Sequence, residues 1–192
     1  MNDNRHLILE NALPLVPFDG WSEHTLREAA KRSGLTEADV KKTFPGGVGD
    51  CVEFFLTEAN KALAKEFPEG SLSELKIPAR IEKIILTRFK HALPKREVIR
   101  RTVSFNSLPW NTFRTMKITY ATVDLIWRLA GDNSTDFSFY TRRMTLAGVY
   151  SSTLLFWLND ESENQQETAL FLKRRLGDVA EFGKLKKKLG CA

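Results

Sequence analysis

Apolar residues recur at spacings of three and four along the whole chain, which is the period of an amphipathic α-helix. No Asn-Gly or Asp-Gly turn sits between alternating strands, so the pattern does not favour hairpins. The sequence therefore predicts a nearly all-α fold. The predicted helices cover residues 5–16, 22–33, 36–44, 50–67, 78–91, 94–105, 109–129 and 135–158, with a last helix from about residue 163.

A turn-forming stretch, Pro68-Glu69-Gly70-Ser71, interrupts the helical pattern. It predicts two domains, at residues 1–67 and 68–192. Net charge changes across this break. Residues 1–66 carry 8 Lys and Arg against 11 Asp and Glu, whereas the remainder carries 21 against 13. The net charge of +5 therefore comes from the second part of the chain.

Residues 25–44 have the pattern of a helix-turn-helix. Ser22 is expected to cap the first of its two helices and Gly34 to end it. Thr36, with Asp39 three positions later, is expected to cap the second. Ala29 and Ala30 are small enough to let the two helices cross closely. This segment could read DNA or serve only as a packing unit.

Charge favours the packing unit over DNA recognition. Thr36 to Phe44 contains Glu37 and Asp39 against Lys41 and Lys42, which sum to zero. A DNA-reading helix has to neutralise phosphates, and acidic side chains facing phosphate repel it. No nucleic-acid partner is expected. A ligand-responsive transcriptional repressor remains the alternative, favoured by the helix-turn-helix and an isoelectric point of about 9.2.

Residues 130–150 contain a polar turn followed by a helix rich in aromatic residues and arginine. Gly131 can end one helix, and Asp132, Ser134 or Asp136 can cap the next. Asp136, Tyr140 and Arg143 then fall on one helical face, with Phe139 one turn before Arg143. Aromatic residues beside arginine are typical of a protein-binding hot spot. The capping role alone also accounts for the polar residues.

Signals of catalysis or metal binding are weak. His6, His24 and His91 have no metal-ligand spacing, and Cys51 and Cys191 form no CxxC pair. The sequence contains neither the glycine-rich motifs of nucleotide-binding sites nor the GxSxG motif of a catalytic serine. The chain is therefore predicted to be no enzyme and to bind no metal or cofactor.

The chain has no apolar run of the ~20 residues that cross a bilayer. The first residues carry Asp3 and Glu10 and do not resemble a leader, so a cytoplasmic location is predicted. Residues 179–192 combine apolar residues with four lysines. They form either a basic amphipathic helix at an anionic membrane surface or a solvated tail. Location at the inner face of a bacterial inner membrane is part of this prediction.

Three segments together resemble the Coq-nine family of ubiquinone (coenzyme Q) biosynthesis: ALPLVPFDGW at 12–21, the helix-turn-helix, and AGDNSTDFSFYTRR at 130–143. The resemblance implies a TetR-like all-helical fold with an N-terminal three-helix unit and a C-terminal lipid-binding bundle. It further implies a homodimer that holds an isoprenoid or other lipid, such as a phospholipid. Such a protein is a non-catalytic factor that presents ubiquinone precursors to Coq-seven, the di-iron demethoxyubiquinone hydroxylase.

The resemblance also implies a partner-binding patch. Phe139 stands where relatives can carry Trp, which keeps an aromatic anchor without the indole N–H. Residues that contact a partner should be largely exposed, so we expect Phe139, Tyr140 and Arg143 at the surface, where truncation leaves stability unchanged. The patch consists of Asp124, Ile126, Phe139, Tyr140 and Arg143.

The later helices are rich in large apolar residues, most of which are predicted to form the core. A lipid cavity needs the same residue types, so the sequence leaves both roles open. The cavity is assigned to Phe113, Met116, Leu125, Met144 and Leu155. The wider set is Ile84, Ile85, Phe89, Val103, Leu108, Trp110, Phe113, Met116, Ile118, Leu125, Trp127, Met144, Leu146, Leu154, Leu155 and Trp157.

Overall fold

A computed structural model describes residues 2–132 and 137–188, without the side chains of residues 2, 137–138 and 182–188. Every regular element in these ranges is helical, which confirms the all-α prediction. Short 3-10 turns precede three of the helices, at Leu93–Lys95, Pro109–Asn111 and Glu163–Gln165. The helices are α1 (Asn2–Ala12), α2 (Val16–Asp19), α3 (Glu23–Arg32), α4 (Glu37–Thr43), α5 (Val48–Glu66), α6 (Ile77–Ala92), α7 (Arg96–Asn106), α8 (Thr112–Leu129), α9 (Phe137–Trp157) and α10 (Gln166–Lys188).

The chain forms two compact units, and each is discontinuous in sequence. The first unit joins Met1–Ala62 to Ala92–Ile118, and the second joins Leu63–His91 to Thr119–Ala192. The predicted domain boundary between residues 67 and 68 stays a prediction. Among the described helices, none is both long enough and apolar enough to cross a membrane.

The first predicted helix is two helices in the structure. The pattern predicted one helix over residues 5–16, but α1 ends at Ala12 and α2 begins at Val16. Pro14 explains the break, because a proline inside a helix lacks the backbone N–H and clashes with the preceding turn. Pro17 lies in the first turn of α2, where a missing N–H is tolerated.

The helix-turn-helix is confirmed in its local detail. The Ser22 hydroxyl accepts the Thr25 amide at 3.1 Å and caps α3. Gly34 has a φ of +69°, a left-handed conformation that favours glycine, and the next amide, Leu35, donates to the Ala30 carbonyl. Thr36 and Asp39 form the predicted capping box of α4. The hydrogen bond from the Thr36 hydroxyl, followed by that from its amide, lowers the pKa of Asp39.

The core of the first unit joins its two chain segments. The indole N–H of Trp21 donates to the Thr102 hydroxyl at 2.8 Å, across 81 positions of sequence, and both residues are buried. The Trp21 ring also packs against Phe55 of α5, with centroids 5.9 Å apart. Ala29 and Ala30 are buried in the same cluster, as expected of small residues at a close helix crossing. Segment 92–118 is therefore an integral part of this unit.

The second unit is built around a stack of aromatic rings. Phe89 of α6 stacks on Trp157 and Tyr150 of α9, with centroids 5.3 and 5.9 Å apart. On α9 and α10, Phe156 and Phe171 stack with their ring centroids 4.5 Å apart.

The core prediction is confirmed for part of the apolar set in the two units: Ile84, Ile85, Phe89, Ile118, Leu146 and Trp157 are buried.

Five of the apolar residues, for which the sequence left a core role and a cavity role open, are not in the core but on exposed helix faces. The period of a helix shows that residues share a face but does not show whether that face is covered. These residues are Trp110, Phe113, Met116, Met144 and Leu155.

A buried carboxylate organises the turn before α10. Asp160 accepts hydrogen bonds from the amides of Ser162 and Thr168, each at 2.8 Å, and from both hydroxyl groups. Burial opposes its ionisation, but these four hydrogen bonds outweigh burial and lower the pKa of Asp160 to about 2. The ionised form therefore stabilises the folded state.

We expect Asp160→Asn to lower the free energy of unfolding by about 2 kcal/mol at pH 7, because the folded pKa lies below the unfolded value of 3.8. This stabilisation is present above pH 4 and is lost as the pH falls from 4 towards 2. Urea unfolding of the wild type and the variant at pH 7, 4 and 3 measures it. A difference that stays constant over this range would contradict the expected role of the charge.

Candidate functional site

The predicted partner patch lies where α8 turns into α9 in the second unit. Gly131 makes the turn with a φ of +89°, which a side chain rarely adopts. A Cβ at this position would also stand 2.8 Å from the Arg80 guanidinium. That guanidinium donates to the Ala130 carbonyl at 2.9 Å and to the Ser73 and Leu75 carbonyls. Gly131 is required here for both conformation and space.

Arg143 of α9 lies at the centre of an ion-pair network beside this turn. Its Nε donates to Asp124 Oδ1 at 2.7 Å and its Nη1 to Asp132 Oδ2 at 3.2 Å. Arg142 donates to the other oxygen of Asp132 at 2.9 Å, and Arg128 pairs with the other oxygen of Asp124. We call these five residues the Arg143 network. Because each carboxylate bridges two guanidinium groups, the network joins the end of α8 to the start of α9.

The network holds an aromatic pair at its edge. The Arg143 guanidinium lies 3.3 Å from the ring centroid of Phe139 and also donates to the Phe139 carbonyl. The Phe139 ring meets Tyr140 edge to face, with centroids 5.2 Å apart. Tyr140 is 62% exposed. A buried cation therefore orients a ring that in turn supports an exposed tyrosine.

The exposure that we expected of Phe139, Tyr140 and Arg143 is wrong for Arg143, which is buried. Arg143 is 1% exposed and Ile126 is fully buried. Phe139 and Asp124 are half-buried, and only Tyr140 of the patch is largely exposed. Arg143 turns inward because Asp124 and Asp132 satisfy its charge there. Asp136, which shares the predicted face, lies outside the described residues. Binding of a partner by these residues stays a prediction.

The predicted lipid-cavity residues are mostly at the surface and belong to both units. Phe113 and Met116 are exposed on the first unit. Met144 and Leu155 of α9 are exposed on the second, and Leu125 is half-buried there. The prediction that they line an enclosed cavity is therefore not met in the described second unit, where Met144 and Leu155 face outward. Their contact with a lipid stays a prediction.

Sequence reasoning missed several residues that build the site. Asp132 was considered only as a helix cap, yet it accepts two arginines. Arg80 lies 50 positions before the carbonyl it binds, so no local pattern signals it. Trp127 was assigned to the core, and its indole donates to the Arg142 carbonyl at 3.3 Å. The adjacent Arg142-Arg143 pair was the only local signal of a shared acidic acceptor.

The site offers recognition chemistry more than reaction chemistry. Its carboxylates are held by guanidinium groups, and its exposed rim consists of Tyr140, Arg128 and Arg142. Among the residues that the structure describes, no group of His, Cys, Asp or Glu could hold a metal ion.

The thiol of Cys51 lies on α5 in the first unit, away from this site in the sequence. Burial, reinforced by the charge of Asp50, raises the pKa of this thiol to about 12. That thiol is therefore protonated at neutral pH.

The site lies in a segment of the chain that is similar to a known protein family. Residues 113–183 match the family model described as COQ9, and this range contains the whole Arg143 network and Tyr140. This segment of the chain is therefore similar to the COQ9 family. The resemblance to the Coq-nine family is thereby confirmed.

Curated relatives extend the similarity beyond the segment that matches the COQ9 model. The "Ubiquinone biosynthesis protein COQ9, mitochondrial" of Rattus norvegicus is 32% identical over 93% of this chain and 59% of its own length. The protein of the same name from Homo sapiens is 31% identical over 93% of this chain and 58% of its length. The chain thus spans less than two thirds of these relatives. The Schizosaccharomyces pombe protein is 26% identical, with 95% and 76% covered.

A solved structure shares the fold. The TetR transcriptional regulator from Nitrosomonas europaea matches with a TM-score of 0.72 and covers 92% of this chain and 97% of its own. The sequence identity is 22%, so the likeness shows the fold alone. The predicted TetR-like all-α architecture is confirmed, and the segment that matches the COQ9 model lies in its later helices.

We expect Arg143→Ala to lower the free energy of unfolding by about 3 kcal/mol, because it takes a partner from the buried carboxylate of Asp132 and from the half-buried carboxylate of Asp124. Tyr140→Ala should change it by less than about 0.5 kcal/mol, since that side chain is exposed. Urea unfolding of both variants at neutral pH measures the difference. If Arg143→Ala were as stable as Tyr140→Ala, the buried network would not hold the turn together.

Proposed function

We propose that this protein is a non-catalytic, lipid-binding accessory factor of ubiquinone biosynthesis. It binds isoprenoid or quinone precursors and presents them to a demethoxyubiquinone hydroxylase of the Coq-seven type. The observation that carries the proposal is the COQ9 match over residues 113–183, which encloses the Arg143 network. The names of the relatives, which place those proteins in ubiquinone biosynthesis, support the same pathway.

The surface beside the network supports contact with a protein partner. Tyr140 is exposed, and its ring is held by Phe139, which Arg143 holds in turn. An aromatic side chain that is fixed before binding loses little conformational freedom when a partner covers it. Arg128 and Arg142 lie at the rim of the same surface and suit an acidic partner. This is the surface on which we place the hydroxylase.

Exposed apolar residues on α9 support a lipid contact. Met144 and Leu155 present apolar surface that nothing in the described second unit covers. Covering such surface with an isoprenoid tail is favourable by roughly 25 cal/mol per Å² of apolar area, offset by the cost of withdrawing the tail from a bilayer. The lipid would then lie on this exposed surface of α9 and cover it. A homodimer, and a cytoplasmic location at the inner face of a bacterial inner membrane, belong to this proposal.

The likeness to a TetR regulator raises DNA binding as the second candidate function. Charge does not favour it, because α4 with its capping residue Thr36 carries two acids and two lysines. A repressor would shift its own upstream DNA in a gel at low salt, and Lys41→Glu with Lys42→Glu would weaken the shift. Strong, sequence-dependent retardation would replace the accessory role with a regulatory one.

Deletion of the gene is expected to lower ubiquinone and to accumulate its demethoxy precursor, as measured by quinone extraction and mass spectrometry. Wild-type protein should restore ubiquinone. Tyr140→Ala should restore it poorly, because losing a hot-spot residue costs about 2 kcal/mol of binding, or about 30-fold in affinity.

Phe18→Ala is the control for this complementation. Phe18 is an exposed aromatic residue of α2, in the first unit, and its loss should restore ubiquinone as wild type does. Normal ubiquinone after deletion of the gene would remove the proposed role altogether.

Native mass spectrometry of the purified chain should detect a co-purifying lipid. Leu155→Gln should reduce the lipid-bound fraction, because it places an amide in the apolar surface that we assign to the lipid. Leu170→Gln is the matched control, since both leucines are just over half exposed, on α9 and α10 respectively. A lipid-free spectrum of the wild type, or equal loss in both variants, would count against this surface.

A further inference from the structure

The turn between α7 and α8 presents three large apolar side chains to solvent within the first unit. Trp110 is 76% exposed, Phe113 is 83% exposed, and Met116 is largely exposed one turn further along α8. Large apolar groups that cluster at a surface mark an interaction site more often than isolated ones do. We call residues 107–116 the α7–α8 corner.

The corner is held firmly in this exposed conformation. The buried Asn111 side chain donates to the Phe105 carbonyl, and the Thr115 hydroxyl donates to the Asn106 carbonyl, both at 2.8 Å. Arg114 and Lys117 fix the adjoining face of α8 to Asp50 and Glu53 of α5. Phe113 and Met116 cannot turn inward without breaking these contacts. Their exposure is therefore built into the fold.

A basic band lies behind the corner on α7. Lys95 and α7 carry four basic residues and one acidic residue, Glu97. Arg101 lies five residues before the end of α7, or about 8 Å along the helix axis at 1.5 Å per residue. An interfacial segment reaches roughly 5–10 Å below the headgroups of a bilayer. The apolar side chains follow the end of α7, and the cations lie about 8 Å back along this helix. This order matches that of acyl chains and anionic headgroups at a membrane surface.

We propose that the α7–α8 corner inserts into the surface of an anionic membrane, with Trp110, Phe113 and Met116 as the inserted residues. Tryptophan prefers the membrane–water interface because its ring is apolar and its N–H remains hydrogen-bonded there. A second copy of this chain is the poorer occupant, since two basic bands would repel each other. This contact does not depend on the proposed function or on residues 179–192.

The full chain should co-sediment with vesicles of phosphatidylcholine and phosphatidylglycerol and bind pure phosphatidylcholine vesicles much less. Added salt should weaken the binding, because it screens the basic band. Phe113→Ser should lower the binding constant about 10-fold, the loss expected for one buried apolar side chain. Phe18→Ser is the matched control, because Phe18 is also 83% exposed and lies in the same unit.

Trp110 reports directly on the depth of insertion. Lipids brominated on their acyl chains should quench part of the tryptophan fluorescence of the wild type. Trp110→Phe should keep vesicle binding and lose that quenching, whereas Trp110→Ser should lose binding as well. Binding without quenching of Trp110, or equal loss in Phe113→Ser and Phe18→Ser, would overturn the proposal. So would self-association that Phe113→Ser abolishes while neither vesicle binds.

Discussion

The guanidinium of Arg143 is withdrawn from water between two carboxylates, and the junction of α8 and α9 is organised around keeping it paired. Removing a charge from water costs several kcal/mol unless partners replace the lost hydration. Asp124 at the end of α8 and Asp132 in the following turn supply those partners. The turn at Gly131 is what brings them to the same side of α9. The exposed aromatic surface around Tyr140 is therefore set by electrostatics inside the protein.

Features that depend on neighbours in sequence could be predicted well. The caps at Ser22 and Thr36 and the stop at Gly34 each involve residues at most five positions apart, so their residue types are sufficient signals. The division between α1 and α2 was missed although Pro14 signals it, because the apolar spacing on both sides suggested one continuous helix. At this position, the effect of one proline on the backbone outweighs the apolar periodicity.

The site could be predicted only in part, because its decisive contacts are not local. Tyr140 and Arg143 are three positions apart and share a face, yet one is exposed and the other buried. The difference arises from Asp124, 19 positions before Arg143 and beyond the turn. Spacing identifies the face of a helix, but not which way a long side chain turns. For the same reason, Phe113 and Phe89 could not be distinguished from the sequence, although one is exposed and one is buried.

The hydrogen bond between Trp21 and Thr102 bears on the order in which the chain folds during synthesis. The first unit needs residues 92–118 to complete its core, so it cannot close until the intervening part of the second unit has left the ribosome. By contrast, the contacts of Asp160 lie within eight positions and form without long loop closure. The N-terminal helix-turn-helix is synthesised first, but its core is completed only after residues 92–118 have been synthesised. Until α7 arrives, its apolar surface is the part of the nascent chain most open to a chaperone.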